Sequence, residues 1–330
     1  MSSLPDGAGL PDLSVFLPDL PHRPEQFVPF AALVQTTTAC RLWTGQPLVM
    51  DACQGFAFAA GMGLRVPVGT AVTLAATRHP FEAALQARGL ALCSGHDVVL
   101  GLGAGDPVFQ HGLSGRPWAS PLTAMREYIA AVRGLLAGEV VDQAGEYITL
   151  HGRQPRVAHP RVDLGLGVLR PRMAALAGEV ADAAITWLTP PDYLAASLIP
   201  VIEKAAAEHD RARPRVVASV HVALDRPDRD PVELVARTHS GHLRAPHYRD
   251  LLARAGLAAD PDDLAATTRA LVASDTFLYG GIDHVARGLR RYAEAGVDEV
   301  ALHLHGAAAG QGLAATLDEL TQILALTERP

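Results

Sequence analysis

The segment from residue 65 to 105 constrains this chain most, because RVPVGTAVTL and DVVLGLGAG are two buried-strand patterns enclosing one helical stretch. Each pattern is a near-continuous run of Val, Leu, Ala and Gly, as expected of parallel strands covered on both faces. The unit therefore reads strand–helix–strand. Each strand closes on small residues, where backbone comes near whatever lies above it, so the strand ends are candidate ligand ground.

Further β-type runs fall at residues 13–17, 41–44, 162–168, 183–188, 216–224 and 299–304, which with 66–74 and 98–102 make eight. Helical spacing follows most of them. Leu122, Met125, Tyr128, Ile129, Val132, Leu135 and Leu136 keep steps of three and four, as do Met173, Leu176, Ala177 and Val180. Leu313, Leu317, Leu320 and Leu324 form a last stripe. Eight strands with intervening helices place the chain in the α/β class as a (β/α)8 TIM barrel, whose ligand sites lie at the C-terminal strand ends. A length of 330 residues suits one barrel domain, here 13–330 behind a flexible N-terminus 1–12. Two insertions are expected at the C-terminal mouth. Residues 105–121 read as a Gly/Pro-rich loop or lid, and 227–276 as short polar helices packed over one barrel end. Residues 144–150 resemble an exposed hairpin strand.

Composition narrows the function. With 49% hydrophobic and 19% charged residues the chain supports a sizeable core. No apolar run is long enough to span a bilayer, and MSSLPDGAGLPD lacks the features of a signal peptide, so a cytoplasmic location without membrane association is expected. A net charge of −7 and a single lysine, Lys204, argue against nucleic acid and toward a small-molecule or peptide-like substrate. Cys40, Cys53 and Cys93 show no paired spacing and read as reduced core residues.

Several motifs carry possible chemistry. GLGAG at residues 101–105 lacks the dinucleotide fingerprint, since Asp106 and Pro107 stand where glycine and a helix start are needed. A flat cofactor lying against bare backbone, or a merely tight turn, are both left open. Val168, Leu169, Arg170, Pro171, Arg172 and Met173 join a strand to a helix, and a helix N-terminus flanked by arginines is a phosphate-site candidate. His79 precedes a helix and reads as its cap. Trp43 and Gln46 fall near the end of the second strand, where an amide has both a donor and an acceptor for a heterocycle, and Trp187 ends the sixth. His303 and His305 alternate along the last strand, but no third ligand is spaced for a metal, and none is expected. Nor is there a GxSxG serine.

Taken together, RVPVGTAVTLAATRHP, VVLGLGAG, PLTAMREYIAAVRGLLAGEVVDQAGEYITL, PRMAALAGEVADAAITWLTP and YGGIDHVARGLRRYAEAGVDEVALHL resemble the bacterial luciferase-like monooxygenase superfamily. WTGQ followed by DA, with the PRM and ADAAITWLTP runs, is similar to its coenzyme F420-dependent oxidoreductase branch. The resemblance spans about residues 13 to 305. It implies a TIM barrel holding an isoalloxazine-like ring at its mouth, as a homodimer. Gly69, Thr70, Ala71 and Val72 would pass behind the ring, at a bulge with a non-proline cis peptide. Gly103, Ala104 and Gly105 would border it, and Val168 to Met173 would hold the phosphate. The histidine and glutamate of the sugar-phosphate dehydrogenase members are replaced by WTGQP and GAGDP, which disfavours alcohol oxidation.

The resemblance thus implies an F420-dependent reductase that passes hydride from reduced deazaflavin to an activated C=C or C=N bond, with His111 as candidate proton donor and Gln46 beside it. An FMN-dependent monooxygenase and a non-catalytic flavin-binding barrel are the competing readings. Arg116, Arg170 and Arg172 weigh toward the more acidic deazaflavin.

Overall fold

Near-continuous Val/Leu/Ala runs become eight parallel strands in the computed structural model, which describes residues 9–327. They are β1 (Asp12–Phe16), β2 (Leu42–Thr44), β3 (Val68–Thr70), β4 (Val98–Gly103), β5 (Val162–Gly167), β6 (Ala183–Trp187), β7 (Arg215–Leu224) and β8 (Glu299–His303). Neighbours pair in chain order, and β8 returns to β1 with His303 opposite Phe16, so the barrel closes. The helices used below are α1 (Ala52–Gly61), α2 (Pro80–Ser94), α3 (Pro107–Ser114), α4 (Pro121–Ala137), α5 (Pro171–Val180), α6 (Pro231–Arg244), α7 (Pro246–Arg254), α8 (Leu264–Ala273) and α9 (His305–Leu324). Residues 1–8 of the expected flexible N-terminus lie outside the described residues, and Asp12 already belongs to β1.

Four details depart from the sequence reading. The run 66–74 is not one strand: β3 ends at Thr70, and Thr73–Leu74 resumes pairing against Leu102 and Gly103. Between them Ala71 and Val72 leave the ladder, and the peptide joining them is cis. Residues 105–121 are not a bare loop but hold α3, because Asp106 accepts hydrogen bonds from the Val108 and Phe109 N–H groups and Pro107 suits the first helical position. An additional parallel strand, Phe277–Gly280, extends the sheet beside His221–Leu224 of β7. Its four residues are too few to show a period. Finally, β8 stops at His303 and His305 opens α9, so the two histidines do not share a strand face; the His305 side chain lies outside the described residues.

The hairpin is present as Val141–Ala144 against Thr149–Gly152, its turn held by Glu127, whose carboxylate accepts three backbone N–H groups at 2.9 Å. Residues 227–276 supply α6, α7 and α8. His79 does cap α2, accepting from the Phe81 N–H at 3.2 Å.

Inside the barrel the eight strands contribute unequally. Glycine occupies inward positions on β3, β4 and β5, and large side chains from elsewhere fill the space. A Cβ on Gly69 would lie 2.4 Å from the Trp43 ring. One on Gly101 would meet the Thr70 carbonyl oxygen at 1.9 Å and Ile185 at 2.5 Å, and Gly165 faces the same Ile185 methyl at 2.7 Å. Below this layer Glu299 is fully buried at the barrel base. It accepts from Trp43 Nε1–H at 2.7 Å and Arg215 Nε–H at 3.0 Å, with Ser14 as a further donor. A buried carboxylate is tolerable only with such partners.

The cysteines are not uniformly core. Cys93 is exposed on α2, whereas Cys40 and Cys53 are partly covered. Burial, then the neighbouring Glu299 and Asp51 respectively, push the Cys40 and Cys53 thiols up to about 12.

Gly101→Ala is expected to lose at least about 2 kcal/mol in urea unfolding, because the clash is with backbone and cannot relax. Gly241→Ala, exposed inside α6 with nothing within 4 Å of the added carbon, is expected to gain about 0.5–1 kcal/mol. A thiol titration at pH 8 should react quickly with one cysteine of the native protein, Cys93, and with all three after unfolding. Rapid reaction of two or more in the native state would contradict the thiol environments described.

Candidate active site at the barrel mouth

Where the strands end, a cavity of about 830 Å³ opens between the barrel and the insertion helices. Its size is in the range of cofactor and ligand sites. One wall is the bulge laid against glycine strands. Gly103 and Gly167 line it, and the Val72 side chain nests against both: a Cβ on Gly103 would come within 2.6 Å of Val72, and one on Gly167 within 3.3 Å. Val72 thus occupies space that only glycine leaves open. Another wall is aromatic. Phe16, Trp187 and His303 meet with ring centroids 5.4, 4.5 and 5.2 Å apart for the Phe16–Trp187, Phe16–His303 and Trp187–His303 pairs. Over the top lie His242 of α6 and Pro246, His247 and Tyr248 of α7, with His242 stacked on Trp187 at 5.5 Å.

Two helices begin at the rim, and their N-termini differ. That of α3 is filled by the Asp106 carboxylate, which uses its free N–H groups and would repel an anion. That of α5 has no side-chain cap, carries Pro171 at its first position, and has Arg170 as its N-cap residue on the cavity wall. The Arg170 guanidinium is half exposed and lies 3.4 Å from Asp250 of α7. An anionic group is therefore accommodated at α5 rather than α3. His247 lies 3.7 Å from Asp106. Desolvation, opposed by Asp106 and reinforced by Arg170, lowers the pKa of its imidazole from the usual histidine value.

The structure brings together Gln46, Ala71, Val72, Gly103, Ala104, Gly105, Val168, Leu169, Arg170, Met173 and Trp187 around this cavity. It places the other sequence candidates elsewhere. Trp43 is fully buried, its indole directed to Glu299 at the barrel base, and Gly69 packs beneath its ring. Thr70 is buried and donates to the Gly101 carbonyl at 2.9 Å. Pro171 and Arg172 are outside the lining, Arg172 being exposed. His111 is exposed on α3 and also outside it, as is Arg116, so neither faces the space where a ligand fits. Gln46 does line the cavity, but its amide is engaged locally. Its oxygen accepts from the Leu74 N–H at 3.3 Å and its nitrogen donates to the Pro47 carbonyl at 2.9 Å, tying β2 to the segment after the bulge.

Sequence reasoning passed over Phe16, His242, His247, Tyr248 and the inward role of His303. A signal existed for His303, since it alternates with leucines on a strand. The α6 and α7 residues gave none, because which helical face covers the mouth is set by tertiary packing. Among the described residues no group of three or more His, Cys, Asp and Glu is arranged to hold a metal, and no helix is long and apolar enough to cross a membrane.

A family model described as luciferase-like monooxygenase matches residues 17–299. Among characterised relatives, 5,10-methylenetetrahydromethanopterin reductase of Methanolobus tindarius is 37% identical over 120 residues, covering 36% of this chain and 36% of that one. A 4-hydroxyprotoasukamycin monooxygenase of Streptomyces nodosus subsp. asukaensis is 33% identical over 187 residues, covering 52% and 50%. The chain therefore spans a third to a half of the length of these relatives. In fold it is similar to the coenzyme F420-dependent tetrahydromethanopterin reductase from Methanopyrus kandleri, with a TM-score of 0.74, 20% identity and coverage of 97% and 98%. A closed parallel barrel, a bulged third strand and a match over most of its length lead to one conclusion: the chain belongs to the luciferase-like monooxygenase family.

Proposed function

We propose that this protein is a reductase that binds coenzyme F420 and passes hydride from the reduced deazaflavin to an activated C=C or C=N bond of an organic substrate. The observation that carries the reading is the pairing of the Ala71–Val72 bulge, seated on Gly103 and Gly167, with the uncapped α5 N-terminus and Arg170 in one cavity. A flat tricyclic ring needs backbone approach on one face, and the phosphate on its side chain needs free N–H groups and positive charge. These residues fit both requirements. Leu169, Arg170 and the first turn of α5 would hold the phosphate, while Gly103 and Val72 would support the ring. When bound, the deazaflavin supplies two-electron hydride chemistry; the chain supplies orientation and exclusion of water. Similarity to reductases whose names specify this coenzyme or a pterin substrate supports deazaflavin over flavin.

The likeness to a monooxygenase supports FMN as the second reading. Titration with oxidised F420 and, separately, FMN distinguishes them by fluorescence quenching. The expected result is tighter binding of F420 and, for Arg170→Ala, a loss of about tenfold in affinity, or ~1.4 kcal/mol. Arg172→Ala, exposed and off the wall, is expected to change affinity less than about twofold, on the scale of a solvated surface charge. Preference for FMN would move the reading to the monooxygenase, and failure to bind either would favour a non-catalytic barrel.

We also infer a homodimer. Phe58 and Met62 at the end of α1 and Leu85 and Leu92 on α2 are large apolar side chains left partly exposed among the described residues, on two helices that pack together. Such a patch is usual for an interface. Light scattering should give twice the chain mass, and Phe58→Glu with Leu92→Glu should give the monomer; a wild-type monomer at all concentrations would overturn the assignment.

A further inference from the structure

Binding a phosphate at α5 uses a group that the rest of the cavity lacks. Among the described lining residues Arg170 is the one lysine or arginine, while Asp19 and Asp106 supply two carboxylates. With an anion at α5 no guanidinium is left for a second one, and an ionised group taken out of water without a partner is costly. The apolar lining, in turn, has a direction. In the closed ring of eight strands β1 and β5 are separated by three strands either way, so the segment after β1 stands across the mouth from the α5 start. It lines the cavity with Leu17, Pro18 and Leu20. Leu20 is 49% exposed, and in the segment after the adjacent β2 Leu48 and Val49 are 75% and 71% exposed. Single exposed apolar side chains need no explanation, but three on adjoining segments, the first of them in the lining, make an apolar edge that begins in the ligand space. Val108 is exposed too, but it follows β4, next to the β5 side that the phosphate takes.

We propose, on the reductase reading above, that the substrate is an uncharged molecule with a hydrocarbon arm. Its reacting bond lies beside the ring, and its arm leaves the cavity over Leu17, Pro18 and Leu20 toward the segment after β2. Leu20 is then a specificity residue, touching the arm and not the bond that changes. Each methylene that stays on this edge covers apolar surface and favours binding by about two- to fourfold. A carboxylate placed on the arm within the cavity interrupts that contact and finds no cation to replace its water.

Two measurements test it, both at about pH 8, above the ordinary histidine range. The first needs no cofactor: calorimetric titration in phosphate buffer, which offers the α5 start an anion, with 2-hexanone, 2-octanone, 2-decanone and 7-oxooctanoate. Affinity is expected to rise about tenfold or more from the six-carbon to the ten-carbon ketone, and 7-oxooctanoate to bind at least about tenfold more weakly than 2-octanone. Leu20→Glu, at a half-exposed position, is expected to cut the gain with length at least about fivefold, and Val108→Glu to leave it within about twofold. Affinity flat along the series, a carboxylate that binds as well as the ketone, or a gain that depends on Val108 and not on Leu20 would overturn the assignment. A Leu20→Glu chain of altered mass in light scattering, or wild-type protein that pellets with phosphatidylcholine vesicles through Leu20, would give the edge to a second copy or a membrane and overturn it as well. The second measurement is kcat/KM for oxidation of reduced F420 by 3-hexen-2-one, 3-octen-2-one, 3-decen-2-one and 7-oxo-5-octenoate, expected in the same order. Ketones that bind in the stated order while the enones stay unreduced would overturn the reductase reading alone. Enones that are reduced without that order would overturn the substrate class alone.

Discussion

The site depends on a steric exchange inside the barrel: strands β3, β4 and β5 give up side chains, and their neighbours fill the space. Trp43 covers Gly69, Ile185 covers Gly101 and Gly165, and Val72 covers Gly103 and Gly167. All of these pairings except Val72 on Gly167 are tight enough that a single added carbon would collide. The lower pairings make a solid core, anchored by the bond from Trp43 to Glu299. The uppermost differs, because its cover, Val72, comes from the bulge and itself lines the ligand space. The barrel is thus filled below and open above by the same device.

Electrostatics follow from this asymmetry. The glycine strands β4 and β5 lead directly into α3 and α5, so two helix N-termini meet the bulge wall. Asp106 neutralises one and Arg170 reinforces the other, so only the α5 end is electrostatically suited to an anion. The aromatic wall, built from β1, β6 and β8, carries the imidazoles instead. The uncapped α5 start and an aromatic wall therefore border one space.

Much of this was legible in the sequence where the signal is local. The eight strand runs, the caps at His79 and the α5 start, and the glycine-rich ends of β4 follow from patterns a few residues long. What was not legible is direction. Trp43 looks like a mouth residue because it nears a strand end, yet its indole turns to the base for a partner, Glu299, that is 256 positions away in the chain. His111 looks available because it falls in a long Gly/Pro-rich stretch, but α3 presents it to solvent. His242 and His247 sit in polar helices whose inward face is decided by packing against Trp187 and Asp106. Pairings over such separations leave no trace in periodicity.

The central claim is that one cavity holds the ring against Val72 and Gly103 and the phosphate at α5. A crystal structure of the protein with oxidised F420 tests it most directly. The account predicts the phosphate at the first turn of α5 beside Arg170, with the ring between the Val72 edge and the wall formed by Trp187 and His303. A phosphate at α3, or a ring seated outside this cavity, would contradict it.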